Sequence, residues 1–366
     1  MTSAALTRRG FLLGAAATLL PPVVRGRSAD DPEPLPAGDA AKDVITPDAQ
    51  RAIDRGLAFL ARSQGEDGSW GDGPYAGHVA VVALGGLAFL AGGHQPGRGK
   101  YGAVVTRALR FVLSKEQTTP AGFLYNRRSH SYGPMYGHGF GTMFLAESHG
   151  TVADRELRGR VREALGRAVK VILDSQNGEG GWRYQPEKMT GDISVTVCQI
   201  MALRAARNAG VEVPKSAVDK CVEFVRGCQN TDGGFRYFRQ GGLSQFPRSA
   251  AAIAALYSAG VYQDRDIERG LRYLMQFRPN GGFGFVRGDV EQNYMYAHYY
   301  AAQVMWTAGG HWWADWFPAI RDELLSRGRY RGDGAWQDRF IGADYGTAMA
   351  CIILQIPNNY LPIMQK

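Results

Sequence analysis

Gln64-Gly65-Glu66-Asp67-Gly68-Ser69-Trp70 reads Gln, three residues, Gly, one residue, Trp, and the chain spells this pattern more than once. Residues 176–182 (QNGEGGW) repeat it, and residues 229–235 (QNTDGGF) repeat it with Phe in place of Trp. Weaker copies stand at 117–123 (QTTPAGF), 276–283 (QFRPNGGF, one residue longer) and 330–336 (YRGDGAW, without the Gln). The closing aromatics at 70, 123, 182, 235, 283 and 336 are 53, 59, 53, 48 and 53 residues apart. A sustained period of this length marks a repeat architecture, in which one supersecondary unit recurs and each copy buries its apolar face on its neighbours.

Every unit follows one plan. Helical patterns precede the turns at 51–63, 102–116, 157–175, 217–228, 266–277 and 319–328, and second helices follow at 77–93, 135–150, 192–210, 247–260, 293–309 and 342–355. The first kind is amphipathic: Ala52, Ile53, Leu57, Phe59 and Leu60 oppose Arg51, Asp54, Arg55 and Arg62. The second kind is almost uncharged and commonly ends at Gly, which suits the left-handed position after a helix. A charged set and an apolar set imply an outer ring around a buried inner ring. The reading is therefore all-α: an α6/α6 toroid of six helix-pair repeats spanning 47–366, closed because neither terminal unit looks like a polar cap. Within each connector, Gly permits the sharp bend and Asp or Asn bonds the turn backbone. The Gln amide ties a helix end to the next unit, and the aromatic ring fills the seam.

The rest of the 366 residues narrows the function classes. With 45% hydrophobic and 21% charged residues, 48 Gly and 17 Pro, the chain is neither collagenous nor disordered. Arg8-Arg9 followed by the apolar run 11–20 reads as a twin-arginine signal over residues 1–29. Residues 30–46, rich in Pro, Asp and Ala, read as a linker, so an exported, periplasmic or cell-envelope protein is expected. No later stretch is long and apolar enough to span a membrane. The net charge of +8 falls to +4 without residues 1–29, which hold four Arg and no acid, and no basic patch points to nucleic acid. Cys221 and Cys228 lie two helical turns apart, too far for a bridge, and the four Cys read as buried thiols. Glu66, Asp67, Asp72, Asp333 and Asp338 lack the EF-hand pattern and read as solvated turn acids.

The six turns resemble the QW repeats of squalene-hopene and oxidosqualene cyclases, and the helix-pair pattern is similar to the β subunits of protein prenyltransferases. The resemblance covers 47–366 and implies a terpenoid cyclase-like toroid with a deep cavity; it says much less about chemistry. Squalene-hopene cyclases protonate an alkene with the middle Asp of a D-x-D-D-T motif. The matching stretch, Asp192-Ile193-Ser194-Val195-Thr196, keeps the first Asp and the Thr but places Ser194 at the protonating position, where a hydroxyl is too weak an acid. Prenyltransferases hold zinc through a D-x-C pair and a distant His. Asp219-Lys220-Cys221 has that spacing on an outer helix, and His298 has a suitable inner-helix place, which together fall short of a zinc site. The Cys-Gly-Glu-Gln run of thioester domains is absent from the sequence.

The starts of the second helices carry polar residues that packing does not require: His78, His138, Asp192, Arg248, His298 and Asp344, with Tyr75, Tyr136, Tyr294, Tyr296 and Tyr345 close by. In a toroid these starts converge on one mouth. His138, Asp192, His298 and Asp344 are the candidate acid–base residues, and His78, Arg248, Tyr136, Tyr294 and Tyr296 the candidate ligand-binding ones, with Arg248 suited to an anionic head group. The plainer alternative makes each Asp a helix cap and each His a bond to a neighbouring turn. Trp306 and Trp316 read as core, and Tyr299 and Tyr300 cannot both face the cavity. No cofactor is expected; zinc or another divalent metal would draw on His78, His138, His298 and the nearby Asp residues. The expected protein binds a small hydrophobic, isoprenoid-like ligand in its cavity, with catalysis left open. The rivals are a glycan lyase or hydrolase using His138 or His298 with Asp192 or Asp344, and a protein-interaction scaffold.

Overall fold

The computed structural model describes residues 44–129, 133–279, 293–328 and 332–365. The expected signal segment and most of the linker lie outside these residues, as do parts of the fifth and sixth turns. The described residues all belong to one compact unit. Its helices are α1 (Pro47–Ser63), α2 (Val79–Ala91), α3 (Gly102–Ser114), α4 (Pro134–His149), α5 (Arg155–Ser175), α6 (Ile193–Asn208), α7 (Lys215–Arg226), α8 (Phe246–Ser258), α9 (Arg265–Met275), α10 (Tyr294–Ala308), α11 (Gly310–Gly328) and α12 (Ala343–Gln355). The even-numbered helices follow each other around a ring: α2 packs on α4, α4 on α6, α6 on α8, α8 on α10, α10 on α12, and α12 returns to α2. The odd-numbered helices lie outside them.

The two sets differ as their sequences require. In α1 only Ala49, Ala52, Ile53, Gly56, Leu57 and Leu60 are buried, one stripe facing the ring. In α2 every residue is buried, because one side meets outer helices and the other meets the ring's interior. No helix among the described residues is long and apolar enough to cross a membrane. All four Cys are buried and unbridged.

The connectors close the ring through one recurring geometry. The Gln64 amide donates to Gly68 O (3.2 Å) within its own turn and to Val104 O (3.0 Å) on the next outer helix, α3. Gln176 donates in the same way to Gly180 O and Ala217 O, and Gln229 to Gly233 O and Asp266 O. The Trp of three turns reaches back: Trp70 Nε1 donates to Leu60 O, Trp182 Nε1 to Ile172 O and Trp336 Nε1 to Leu324 O. Gly334 (φ +87°) sits in the last connector, and a Cβ there would lie 2.8 Å from the Arg55 carbonyl of α1. Only Gly combines that left-handed backbone with so close an approach, and the contact joins the end of the chain to its first helix.

Two elements differ from expectation. The helix expected to reach 116 stops at Ser114, and Glu116–Thr118 (β1) pairs antiparallel with Ala121–Leu124 (β2) across a turn containing Pro120. Three consecutive residues without helical preference, Thr118-Thr119-Pro120, favour the hairpin. The last outer helix begins at Gly310 rather than Ala319, because Pro318, which suggests a break in sequence, is accommodated inside α11. Beyond α12 the chain makes two short turns, Ile356–Asn358 and Pro362–Met364, across the C-terminal ends of the inner helices. Asn358 Nδ2 donates to Ala91 O (3.2 Å) and Arg204 Nη2 to Gln365 O (2.8 Å), which hold this tail in place.

Candidate functional site

The first turns of the inner helices surround a cavity of about 360 Å³. His78 caps α2; Tyr136 comes from α4, Ser194 from α6, Pro247 and Arg248 from α8, Tyr296 from α10 and Tyr345 from α12. Connectors add Tyr75, Tyr237, Gln245, Asp338 and Ile341, and Ala80, Val81, Leu84 and Phe140 complete the apolar wall. Of the residues singled out in sequence, His78, Arg248, Tyr136 and Tyr296, with Tyr75 and Tyr345, meet here.

Asp192 stands directly behind this wall. It caps α6, Oδ1 accepting the Val195 N–H at 2.9 Å, while Oδ2 accepts the Tyr237 hydroxyl at 3.0 Å. Tyr237 in turn shares a short hydrogen bond with the Tyr184 hydroxyl. Burial pushes the Asp192 carboxyl above the ordinary carboxylate range, against the pull of its Val195 and Tyr237 bonds. Burial and the Asp192 charge together push the Tyr237 phenol upward, so it donates its proton in a hydrogen bond rather than releasing it. The Arg248 guanidinium lies 4.8 Å from the centre of the Tyr237 ring. No carboxylate among the described residues pairs with it, which leaves its charge available to the cavity. His78 accepts the Ala80 N–H on Nδ1 (3.2 Å), so Nε2 carries the proton, and burial holds the imidazole down to about 4. At neutral pH it is an uncharged donor.

The other expected members do not join them. His138 is wholly buried, with Nδ1 accepting the Leu124 N–H (3.1 Å) and Nε2 3.1 Å from Ala168 O. It sits one turn into α4, where Thr196 of α6, Ser249 of α8 and Thr347 of α12 accept a connector N–H from Trp182, Phe235 and Trp336. That side of the inner helix faces the outer ring, so the expected convergence of His138 on the mouth is corrected to a bond that ties a connector to its helix. His298 occupies the corresponding turn of α10, packed between Phe246, Tyr294 and Trp316 and held down to about 3 by burial and by Arg327. Tyr294 lies under the Arg327 guanidinium (3.8 Å), away from the cavity lining. Asp344 accepts Ser63 Oγ (2.7 Å) and Gly71 N (2.8 Å), joining α12 to the first connector. Tyr299 and Tyr300 are both buried and neither lines the cavity, while Trp306 and Trp316 fill the core as read.

Sequence reasoning missed Tyr184 and Tyr237, and it read Asp338 as a solvated turn acid, whereas Asp338 is buried in the cavity lining. A signal for them exists: each stands two residues past a turn aromatic, in Trp182-Arg183-Tyr184, Phe235-Arg236-Tyr237 and Trp336-Gln337-Asp338. Among the described residues no group of three or more His, Cys, Asp or Glu is placed to hold a metal ion.

This architecture matches known ones. Residues 142–298 match the prenyltransferase alpha-alpha toroid domain. A variant of the type II terpene cyclase MstE from Scytonema, solved with geranylgeranyl dihydroxybenzoate as substrate, is 13% identical and superposes with a TM-score of 0.56 over 86% of this chain and 98% of that one. Cellobiose 2-epimerase from Spirochaeta thermophila DSM 6192 (14% identity, TM-score 0.62, 88% and 98% covered) has the same fold. So does an inactive α-1,6-mannanase variant from Salegentibacter sp. HEL1_6 bound to α-1,6-mannotriose (7%, 0.58, 85% and 99%). No curated protein sequence matches the chain. The chain thus has an α/α toroid fold, and residues 142–298 of it match the prenyltransferase alpha-alpha toroid domain.

Proposed function

We propose that the mouth cavity binds an amphipathic isoprenoid: an apolar body against Val81, Leu84, Phe140 and the tyrosine rings, and an anionic head group on Arg248. The observation that carries this reading is a single guanidinium, stacked on Tyr237 and in no ion pair among the described residues, set into a largely aromatic and aliphatic wall that holds one acid, Asp338. A cation fixed by stacking loses little freedom when it pairs with a carboxylate or phosphate. The substrate named for the MstE complex, an isoprenoid joined to a dihydroxybenzoate, has this two-part chemistry. Within this reading the chain is built of six helix-pair repeats, and Arg8-Arg9 directs its export; a fusion of residues 1–46 to a reporter that is active only outside the cytoplasm tests the latter.

The binding test uses geranylgeranyl dihydroxybenzoate, geranylgeraniol and α-1,6-mannotriose as probes of the full chain, followed by calorimetry. The charged isoprenoid binds more tightly than the neutral alcohol by roughly tenfold or more, and Arg248→Met removes that margin. Equal affinity of the two isoprenoids, or a margin that survives Arg248→Met, sinks the proposal. A second reading, a glycan-acting enzyme, draws support from the phenol-rich wall and from the carboxyl of Asp192 hydrogen-bonded to Tyr237. Binding of mannotriose with no binding of either isoprenoid would replace the first reading with this one.

A further inference from the structure

The other end of the ring holds a second cavity, of about 820 Å³. The C-terminal ends of α2, α4 and α6 wall it, and residues 360–362 of the tail run across it. Glu147, in the last turn of α4, projects into this space although only 7% of it is exposed. Its one hydrogen-bond donor among the described residues is the Ile363 N–H, at the long distance of 3.4 Å to Oε2. Burial of a carboxyl with so little compensation pushes it up to about 8, against the Ile363 bond and the charge of Arg204.

The lining itself carries no fixed positive charge. Neither Lys nor Arg lines the cavity. Arg204, the guanidinium near Glu147, is already engaged by Tyr257 O (2.8 Å), Tyr262 Oη (2.6 Å) and Gln365 O (2.8 Å). His94 and His149 are held below the usual histidine range, by burial first and then by Lys100 for His94 and by Arg162 and Arg158 for His149. Three helices end at the cavity, and the carbonyl end of a helix carries a partial negative charge. Leu90, Ala146, Ala205 and Leu361 supply apolar surface, and the Tyr360 ring, 60% exposed, stands at the edge.

We propose that this cavity is a binding site for an organic cation, a primary ammonium on an apolar tail, with the ammonium between the Glu147 carboxylate and the helix-end carbonyls and the tail along the aliphatic wall. The site is separate from the mouth cavity and independent of what that cavity binds. A cation would make good the carboxyl's missing partners, so its binding displaces the Glu147 proton, and affinity rises from pH 7 to 9 while the ammonium keeps its charge.

Calorimetric titration of the full chain with n-hexylammonium, 1-hexanol and hexanoate tests this. The ammonium is expected to bind at least about tenfold more tightly than the alcohol, hexanoate more weakly than either, with the ammonium's affinity increasing from pH 7 to 9. Glu147→Gln, which keeps the side chain's size, should reduce the ammonium to the alcohol's affinity, and the exposed Tyr360→Ala should weaken it by roughly threefold. Equal binding of ammonium and alcohol, no binding of the ammonium, or undiminished binding by Glu147→Gln each overturn the proposal. Should Glu147→Gln fail to fold, the ammonium-to-alcohol ratio in the unaltered chain and the Tyr360→Ala result decide.

Discussion

The same inner helices build both ends of the ring, and the two ends treat buried acids differently. At the mouth, Asp192 sits where α6 begins and takes an N–H from Val195 at 2.9 Å and the Tyr237 hydroxyl at 3.0 Å. At the far end, Glu147 sits where α4 finishes and takes one N–H at 3.4 Å. Burial raises both carboxyls, and the poorly compensated Glu147 reaches about 8. The reason lies in helix polarity: starts offer free N–H groups, whereas ends offer carbonyls that repel a carboxylate. With Arg248 added, the mouth suits an anionic group. The far end suits a cation. A ring of parallel inner helices therefore has two chemically distinct openings before any side chain is specialised.

That contrast can be broken in several ways. If the connectors at the mouth hold the ring, Trp182→Ala should cost about 3–5 kcal/mol in urea unfolding, since the ring is fully buried and bonded to Ile172 O; Tyr360→Ala at the far end should stay within about 0.5 kcal/mol. A small loss for Trp182→Ala would show that the connectors follow the helix packing rather than secure it.

Glu147 and the buried histidines of the inner helices should also fail in opposite pH directions. The folded Glu147 value of about 8 lies above the ordinary carboxyl value of 4.5, so between them the folded chain keeps a proton the unfolded chain has lost. Stability from this group is full below 4.5 and declines as pH rises through 8. Glu147→Gln should flatten that decline by as much as roughly 5 kcal/mol, at about 1.4 kcal/mol per pKa unit. His78, His138 and His298 behave in reverse: held down to about 4, 4 and 3, they contribute stability above 6.5 that is lost on acidification. His138→Asn should flatten the acid-side fall by up to about 3 kcal/mol. Thermal melts from pH 4 to 9 read both effects, and a profile that neither substitution alters refutes the assignment.

A smaller effect than at Trp182, Glu147 or His138 is expected at the α6 cap. Asp192→Ala should cost about 1–2 kcal/mol, because it strands the Val195 N–H and the Tyr237 hydroxyl together. A loss below about 0.5 kcal/mol would mean that Tyr237 is held by Tyr184 alone.

Much of this is legible in the sequence. The helix pairs fall within a few residues of their expected bounds almost throughout, and Gln176 reaches Ala217 on the following outer helix as its place in the turn implies. His78, Arg248, Tyr136 and Tyr296 were named from helix starts alone and line one cavity. His138, His298 and Asp344 were named by the same reasoning and do not line it. Helix starts differ in register: His78 and Asp192 are caps, whereas His138 and His298 lie one turn further in. Glu147 drew no notice, because a lone acid near a helix end carries no sequence signal of burial.

The repeat, the alternation of charged and apolar helices and the turn chemistry were determined by the sequence itself, since each depends on residues within a few positions of one another. Which face of each inner helix meets the cavity was decided only by the tertiary structure. An inner helix is apolar on every side, so no polar stripe marks its inward direction, and one residue of register turns a side chain by about 100°. The far-end cavity depends on the same level of organisation, because it exists only where three helix ends and the returning tail come together.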